Sequence, residues 1–543
     1  MENITNDSNS EKGAGTPRND EENATQYVTG VKLVAIVSAV TLVYFLILLD
    51  MSIIVTAIPR ITTHFHSLAD VGWYGSSYQL ASASLQPLAG KVYSNFSAKI
   101  TFLCFFALFE FGSLLCAVSV SSKMLIISRA VAGIGSAGLI NGTLTILSAC
   151  MPLEKRPTAF GIMMGFGQLG IIIGPLLGGA FTEYVSWRWC FYINLPIGAI
   201  VAVLLLFTRI PAAIKPRDVT IWIAIKKRFD LVGFALLLPA CVMFFLALDY
   251  AGHQFEWNSP TIIGLFCGAG VTFILFVTWE FTMGGEEAMV PYSMIRIRAV
   301  WSSCLVMLFF FGMLELASYY MPIYFQSVNN ATPLMSGVYM LPSIISQLIS
   351  TVVGGALVSR VGYYLPFIIV SGALSSIGNG LMGTLDAHSS AGKWIGYQVL
   401  LGFGRGLGFQ IAVIAVQSSL SADLVPVSMA LISFSQTLGG AVFLAMGETL
   451  LTNSLKSNLP KLAPKVDPNT VVDAGATAIR DVVKDPVQLE GVIESYAKAV
   501  NVIFYVAAAA AALVVFLSWG MGWKDIRKKK DPSRESEPSA PST

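Results

Sequence analysis

Asp50, Glu110, Arg129, Glu315, Arg405 and Glu448 all lie inside long apolar runs. A charge at the centre of a bilayer costs about 2.5–3.5 kcal/mol on insertion scales, so such residues need a compensating role. A carboxyl that alternates between a desolvated pocket and the neighbourhood of a cation binds and releases a proton. Asp50 and Glu315 are the first candidates for that chemistry, although Asp50 also suits a cap or a snorkelling position late in the first helix. Arginine keeps its proton in proteins. Arg129 therefore tunes a nearby carboxyl, binds an anion, or pins a neighbouring helix. Arg405 sits in Gly402-Phe-Gly-Arg-Gly-Leu-Gly408, where the glycines leave room for either binding or packing. Glu110 and Glu448 read as packing or interface residues.

Arg129, Gly133, Ala137, Asn141 and Thr145 are spaced by four and share one helical face. That face is expected to form a cavity wall. Candidate substrate contacts are Asn141, Arg405, Gln168, Gln436, Tyr319 and Tyr320. The two tyrosines belong to an aromatic stretch that either stacks on a flat apolar ligand or meets the membrane interface. The seven cysteines form no CxxC pair and read as packing residues. The four histidines read as solvated loop residues. No metal and no cofactor is expected. Asn330-Ala-Thr332 is a glycosylation sequon in a short outer loop, close to the membrane.

The elements that position these residues are read from hydropathy. The chain is 55% hydrophobic and 12% charged, with mean hydropathy +0.68, against about 25% charged residues in soluble domains. A span needs about 20 apolar residues. Such runs occur near 31–57, 71–92, 100–120, 124–149, 158–181, 190–209, 231–251, 260–281, 300–325, 335–358, 363–385, 394–419, 427–452 and 499–523, about fourteen in all. The runs 71–92 and 394–419 are the most polar. Lys and Arg concentrate in 209–230, after 523 and in the other even-numbered connections, which places both termini in the cytoplasm. Trp73, Trp187, Trp257, Trp301, Trp394 and Trp523 fall near span ends and read as interfacial anchors. The first thirty residues are polar and acidic and lack the regions of a cleaved signal, so the first run is expected to act as an uncleaved anchor.

The organisation expected is a disordered cytoplasmic tail (1–30), a six-helix bundle (31–209), a basic amphipathic linker lying on the cytoplasmic leaflet (210–230) and two inserted helices (231–281). A cytoplasmic loop (282–298), a second six-helix bundle with a long outer loop at 453–498 (299–523) and a basic tail (524–543) follow. Self-comparison supports the two bundles. Arg129 to Gly135 pairs with Gln398 to Gly404 at an offset of 269. Leu49-Asp50 with Leu314-Glu315, and Gly90 to Ser94 with Gly355 to Ser359, pair at 265. Repeated halves place a substrate site near the membrane midplane between them.

Gly165-Phe-Gly-Gln-Leu-Gly170-Ile-Ile-Ile-Gly174-Pro175-Leu-Leu-Gly178-Gly179 carries a small residue every fourth position, a face suited to close helix packing beside a proline bend. It closely resembles the antiporter motif in the fifth helix of major facilitator superfamily exporters. Leu49 to Pro59 is similar to the first-helix motif of the fourteen-helix group, and Arg129 to Gly138 to the fourth-helix RxxxGxG motif. Trp187-Arg188-Trp189-Cys-Phe-Tyr-Ile-Asn194-Leu-Pro196-Ile-Gly198 is similar to the WRWxFxINxPIG segment that leads into the sixth helix. Over roughly 31–523 the chain resembles the fourteen-helix drug/proton antiporters, especially the fungal toxin-efflux branch. One motif departs. The loop after the second helix reads Gly90-Lys-Val-Tyr-Ser94-Asn95, so the family's acidic and first basic residues are missing. A charge lock between the halves is not expected here; gating contacts move to the second copy or rest on hydrogen bonds.

The resemblance implies an all-α integral membrane protein of major facilitator fold: two six-helix bundles plus two inserted helices. It implies proton-coupled efflux of amphipathic small molecules, such as a secondary metabolite, toxin or fungicide, by a monomer in the plasma membrane. A vacuolar or plasma-membrane transporter of siderophores or basic amino acids stays open, as does a membrane sensor. No P-loop and no basic–aromatic cluster is present, which argues against a self-contained ATP-driven pump and against nucleic acid. Catalytic clusters of an intramembrane enzyme are absent.

Overall fold

The computed structural model describes residues 27–66, 70–208, 210, 229–251, 255–283 and 288–527. The first 26 residues, the basic stretch 216–228 and the C-terminal tail from 528 lie outside them. The first bundle is built from α1 (Val31–Phe65), α2 (Val71–Asn95), α3 (Ala98–Ala117), α4 (Ser122–Cys150), α5 (Arg156–Tyr184), the short α6 (Trp189–Tyr192) and α7 (Asn194–Phe207). An inserted hairpin follows, α8 (Leu231–Tyr250) and α9 (Pro260–Met283). The second bundle comprises the short α10 (Tyr292–Ile295), α11 (Arg298–Ser327), α12 (Pro333–Tyr339), α13 (Leu341–Val361), α14 (Leu365–Met382) and α15 (Ala391–Gly408). It is completed by α16 (Ile411–Gln417), α17 (Val425–Leu462), α18 (Pro468–Val482) and α19 (Pro486–Ser518). Thirteen described helical segments are long and apolar enough to cross a membrane. Helix α2, 25 residues long, is the remaining one; its Ser, Gly and Gln residues lower its hydropathy. With it the set makes fourteen.

The repeat in the sequence is a repeat of contacts. Gly133 packs on the Tyr78 carbonyl in the first half and Gly402 on the Ser343 carbonyl in the second, each so close that a Cβ would collide. Asn141 donates to the Gln86 carbonyl at 2.9 Å, and Gln410 to the Thr351 carbonyl at 3.4 Å. In each half these contacts join the second and fourth helices at offsets of 265 and 269. Lipid supplies no hydrophobic drive between helices, so close backbone approach and interhelical hydrogen bonds hold the bundles.

Contact between the halves repeats as well. Helix α2 packs on α17, and α5 on α13. In one seam the Cβ position of Gly90 meets the Pro426 carbonyl; in the other that of Gly355 meets the Pro157 carbonyl. Hydrogen bonds accompany them, two between neutral groups and one from a guanidinium. The Thr158 and Ser359 hydroxyls lie 2.9 Å apart, Gln86 Nε2 donates to Thr437 at 3.4 Å, and Arg156 donates to Gln417 Oε1 at 3.0 Å. Ser94 and Asn95 turn back on the Gly90 and Lys91 carbonyls of their own helix. The end of the molecule carrying the C-terminus of α2 and the N-terminus of α5 is thus closed by hydrogen bonds. The hairpin covers the α2–α17 side, where Leu237, Cys241 and Phe245 pack on Ala83, Phe434 and Leu438.

Several sequence expectations are corrected. Helix α1 continues to Phe65, so Asp50 lies in its interior rather than late in it. The run 394–419 is two helices, broken at Phe409–Gln410. The segment expected as a long outer loop, 453–498, is largely helical: α17 runs on to Leu462, α18 follows, and α19 begins at Pro486. Polar residues end a hydropathy run, but a helix persists where one face stays apolar. Leu455, Leu459, Val471, Ile479, Val492 and Tyr496 form a small core of their own there. Trp187 and Trp394 are buried in protein rather than anchored at an interface.

In the antiporter-like motif, Gly170, Gly174 and Gly178 face α1, where a Cβ would collide with Phe45, Ser52 and Thr56 respectively, and Ser52 donates to the Gly170 carbonyl at 3.0 Å. Gly165 faces Val352 of α13, and Gly179 meets open space. Pro175 is accommodated within continuous helix. Overpacking costs about 1–3 kcal/mol, whereas Gly→Ala in an open helical position gains up to about 1 kcal/mol. Gly174→Ala is therefore expected to lower the melting temperature in detergent by several degrees, while Gly179→Ala leaves it unchanged or slightly higher; thermal unfolding of the two variants checks this.

Candidate functional site

Helices α1, α2, α4 and α7 bring four polar groups together in the interior of the first bundle. Arg129 Nη1 lies 2.5 Å from Asp50 Oδ2, with both side chains essentially inaccessible. The guanidinium also donates through Nε to the Tyr74 carbonyl at 3.0 Å and lies over the Tyr78 ring, 4.4 Å from its centroid. Asn194 Nδ2 donates to Asp50 Oδ1 and to Ser113 Oγ, each at 3.1 Å. The site exists because Gly133, one turn along α4 from Arg129, lets α2 approach closely enough for its carbonyls to serve as acceptors.

Between the halves lies a cavity of about 350 Å³. Tyr44, Tyr78, Phe311 and Phe409 supply aromatic walls; Gln79, Gln86, Gln168, Gln436 and Thr437 supply amide and hydroxyl groups, and Glu315 the carboxylate. The Gln86–Thr437 contact forms its floor toward the closed end. Glu315 packs beside Gly440. Asp50, its partner in the repeat, is withdrawn from the lining into the ion pair. The position matching Arg129 in the second half is Gln398, which donates to the Tyr339 carbonyl at 2.9 Å as Arg129 does to Tyr74. The second half keeps this hydrogen bond and has no cation there.

The Major Facilitator Superfamily model matches residues 40–444. The chain belongs to the Major Facilitator Superfamily. It is 55% identical over 509 residues to the MFS-type transporter pigP of Monascus ruber, covering 94% of this chain and 89% of that one. It is 49% identical over 527 residues to the efflux pump mlcE of Penicillium citrinum, covering 96% and 95%. Among solved structures, the proton:xylose symporter XylE bound to 6-bromo-6-deoxy-D-glucose aligns with a TM-score of 0.54 at 14% identity, over 90% of this chain and 95% of that one. That likeness shows the fold. The protein is an integral membrane transporter of this superfamily and not an enzyme.

Of the residues singled out in this facilitator's sequence, Gln168, Gln436 and Glu315 line the cavity. Asn141 does not: with Gly133 it faces α2, so the small-residue face of α4 is a packing surface rather than a cavity wall. Arg405 is buried, with Nε and Nη2 unpartnered among the described residues, and lies outside the lining. Tyr320 is buried and donates to the Leu444 carbonyl at 3.4 Å; Tyr319 is 52% exposed on the outside. Large rings on one helix cannot all face inward, and these two fall beyond the cavity. Arg188 lies over the Trp187 ring at 4.6 Å and donates to the Ala117 carbonyl at 2.7 Å. Trp189 is half exposed, and Pro196 occupies the first turn of α7, where a missing N–H costs nothing. Asn330 is exposed with φ of 54°, and Thr332 of its sequon caps α12 through the Met335 amide at 3.2 Å.

Sequence reasoning missed two features. Asn194 stood only as a motif residue, yet it binds Asp50. Gln79, Ser82 and Gln86 share one face of α2 at helical spacing, a signal for the lining that the polar character of that run obscured. Removing one member of a buried ion pair costs about 3–5 kcal/mol, because the other is left unpaired. Arg129→Gln is expected to lose that much stability, and adding Asp50→Asn should recover at least half of it, as measured by unfolding of the single and double variants.

Proposed function

We propose that this transporter exports amphipathic small molecules, of the secondary-metabolite, toxin or fungicide class, in exchange for protons moving inward. The observation that carries this reading is the position of Glu315. A titratable carboxylate stands on the wall of a cavity shared by both halves, at the repeat position of Asp50, which is held in a buried ion pair. A volume near 350 Å³ falls at the small end of drug-sized pockets. Aromatic rings interleaved with amides suit a ligand that is partly apolar and partly hydrogen-bonding. The names of the fungal relatives support the direction of transport.

With both termini in the cytoplasm, the closed end is cytoplasmic and this conformation faces outward. The plasma membrane is the proposed location and the monomer the proposed unit. Rocking of the halves breaks the seams at Gly90–Pro426 and Gly355–Pro157 and closes the opposite end. Proton binding at Glu315 and at Asp50 neutralises groups that otherwise hold each half in one arrangement, with Arg129 as the fixed countercharge of Asp50. Moving one charge through 100 mV supplies about 2.3 kcal/mol, so a single proton supports a substantial substrate gradient.

In a pump-deficient host screened with a panel of fluorescent and antifungal amphiphiles, expression of the protein is expected to lower retention of at least one member. Glu315→Gln should reduce that export at least tenfold while protein levels persist; Asp50→Asn, which leaves Arg129 unpaired, should reduce it at least as far when export is scaled to the folded protein present, and full export by both variants excludes them from coupling. A disulfide across Thr158→Cys and Ser359→Cys should arrest export until a reductant is added, as measured by efflux before and after reduction.

A further inference from the structure

We propose that Glu110 is a second proton-binding site of the first bundle, one helical turn along α3 from the Ser113–Asn194–Asp50 chain. The inference rests on the proton-coupled reading above and adds a carboxyl that the reading does not use. Glu110 lies inside α3 and turns toward α7, where Gly198 leaves the slot that holds it; a Cβ at residue 198 would fall against Oε1 and 2.5 Å from Cδ. Both carboxyl oxygens are buried, and neither has a hydrogen-bond partner among the described residues.

A buried carboxyl with neither oxygen hydrogen-bonded has a vacant place for a proton on either oxygen. The same seam carries the polar bridge. Ser113 is one turn beyond Glu110 on α3, and Asn194 is one turn before Gly198 on α7, so two rungs stack along one interface. The second rung is the Asn194 amide, which donates to both Ser113 and Asp50 at 3.1 Å. As the acceptor of that bond, Ser113 keeps its hydroxyl proton for donation. Asn194 Oδ1 is an unused acceptor.

The charged groups on the elements packed against α3 are Lys91 of α2, Lys123 and Arg129 of α4, and Arg188 just before α6; α7 has none. Arg129 is committed to Asp50 and Arg188 to the Ala117 carbonyl. Lys99, at the start of α3, is bound to the Leu206 and Thr208 carbonyls at 2.9 and 2.7 Å. The phenols and thiols on these elements, such as Tyr93 and Cys190, ordinarily ionise above the carboxyl range. The anion at the far end of the Ser113–Asn194 bridge is Asp50.

Dicyclohexylcarbodiimide, an apolar reagent that adds to protonated carboxyls reachable from lipid, tests this on the purified full chain without any transported substrate. The result therefore stands or falls independently of the coupling reading. Peptide mass spectrometry should find Glu110 modified at neutral pH, with the modification absent in Glu110→Gln. Asp50→Asn should reduce modification of Glu110 several-fold at the same pH. Where that variant does not fold, Asp50→Asn with Arg129→Gln, which keeps a neutral pair, should still label differently from the wild type. No modification of wild-type Glu110 anywhere between about pH 5 and 8, the range in which proteins are ordinarily most stable, overturns the proposal. So does modification that neither change at Asp50 alters.

Discussion

Close approach of helix backbones in a solvent that does not drive helices together is the constraint on which this protein depends. Glycine meets a carbonyl at each critical crossing: Gly133 on Tyr78, Gly402 on Ser343, Gly90 on Pro426 and Gly355 on Pro157. The first two build the bundles and the last two join them. Dispersion and hydrogen bonding both weaken steeply with distance. A side chain at any of these positions therefore separates groups whose attraction is the stabilising force. The buried ion pair follows from the same constraint, since Arg129 finds its carbonyl acceptor only because Gly133 brings α2 within reach.

Two copies of one plan have diverged where the charge sits. Both halves retain the hydrogen bond from the fourth helix to the second, made by Arg129 in one and Gln398 in the other. Only the first half has a cation at this position, where Asp50 is bound by Arg129 and Asn194; the buried cation of the second half, Arg405, stands at the position matching Ser136. In the second half the matching acid, Glu315, is left on the cavity wall. The different placing of the cation thus accompanies a sequestered acid in one half and an acid on the cavity wall in the other.

The closed end is held by hydrogen bonds and packing, with no ion pair between the halves among the described residues. Net contributions of about 0.5–1.5 kcal/mol apply to the neutral Thr158–Ser359 and Gln86–Thr437 bonds, and about 1.5–3 kcal/mol to Arg156–Gln417, whose donor is charged. Ser94 and Asn95 bond the Gly90 and Lys91 carbonyls of their own helix and take no part in these hydrogen bonds across the seam. Such a seam depends little on ionic strength, unlike one built from exposed ion pairs.

Hydropathy and the long-range repeat determined the all-α fold, the two bundles, the inserted hairpin and the matching of Asp50 with Glu315, because a bilayer requires apolar length and a duplicated chain keeps its spacing. The glycine stripe likewise marked its packing face, since a period of four admits one interpretation on a helix. Only the tertiary structure decided which partner each face meets. Asn141 and Tyr320 occupy helical faces as suitable for a cavity as those of Gln168 and Gln436, yet they pack against α2 and α17. The helical continuation through 453–498 was hidden because its small core is assembled from residues far apart in the chain. Asn194 joined Asp50 for the same reason: a hydrogen bond between α1 and α7 depends on distances that spacing along one strand of sequence does not contain.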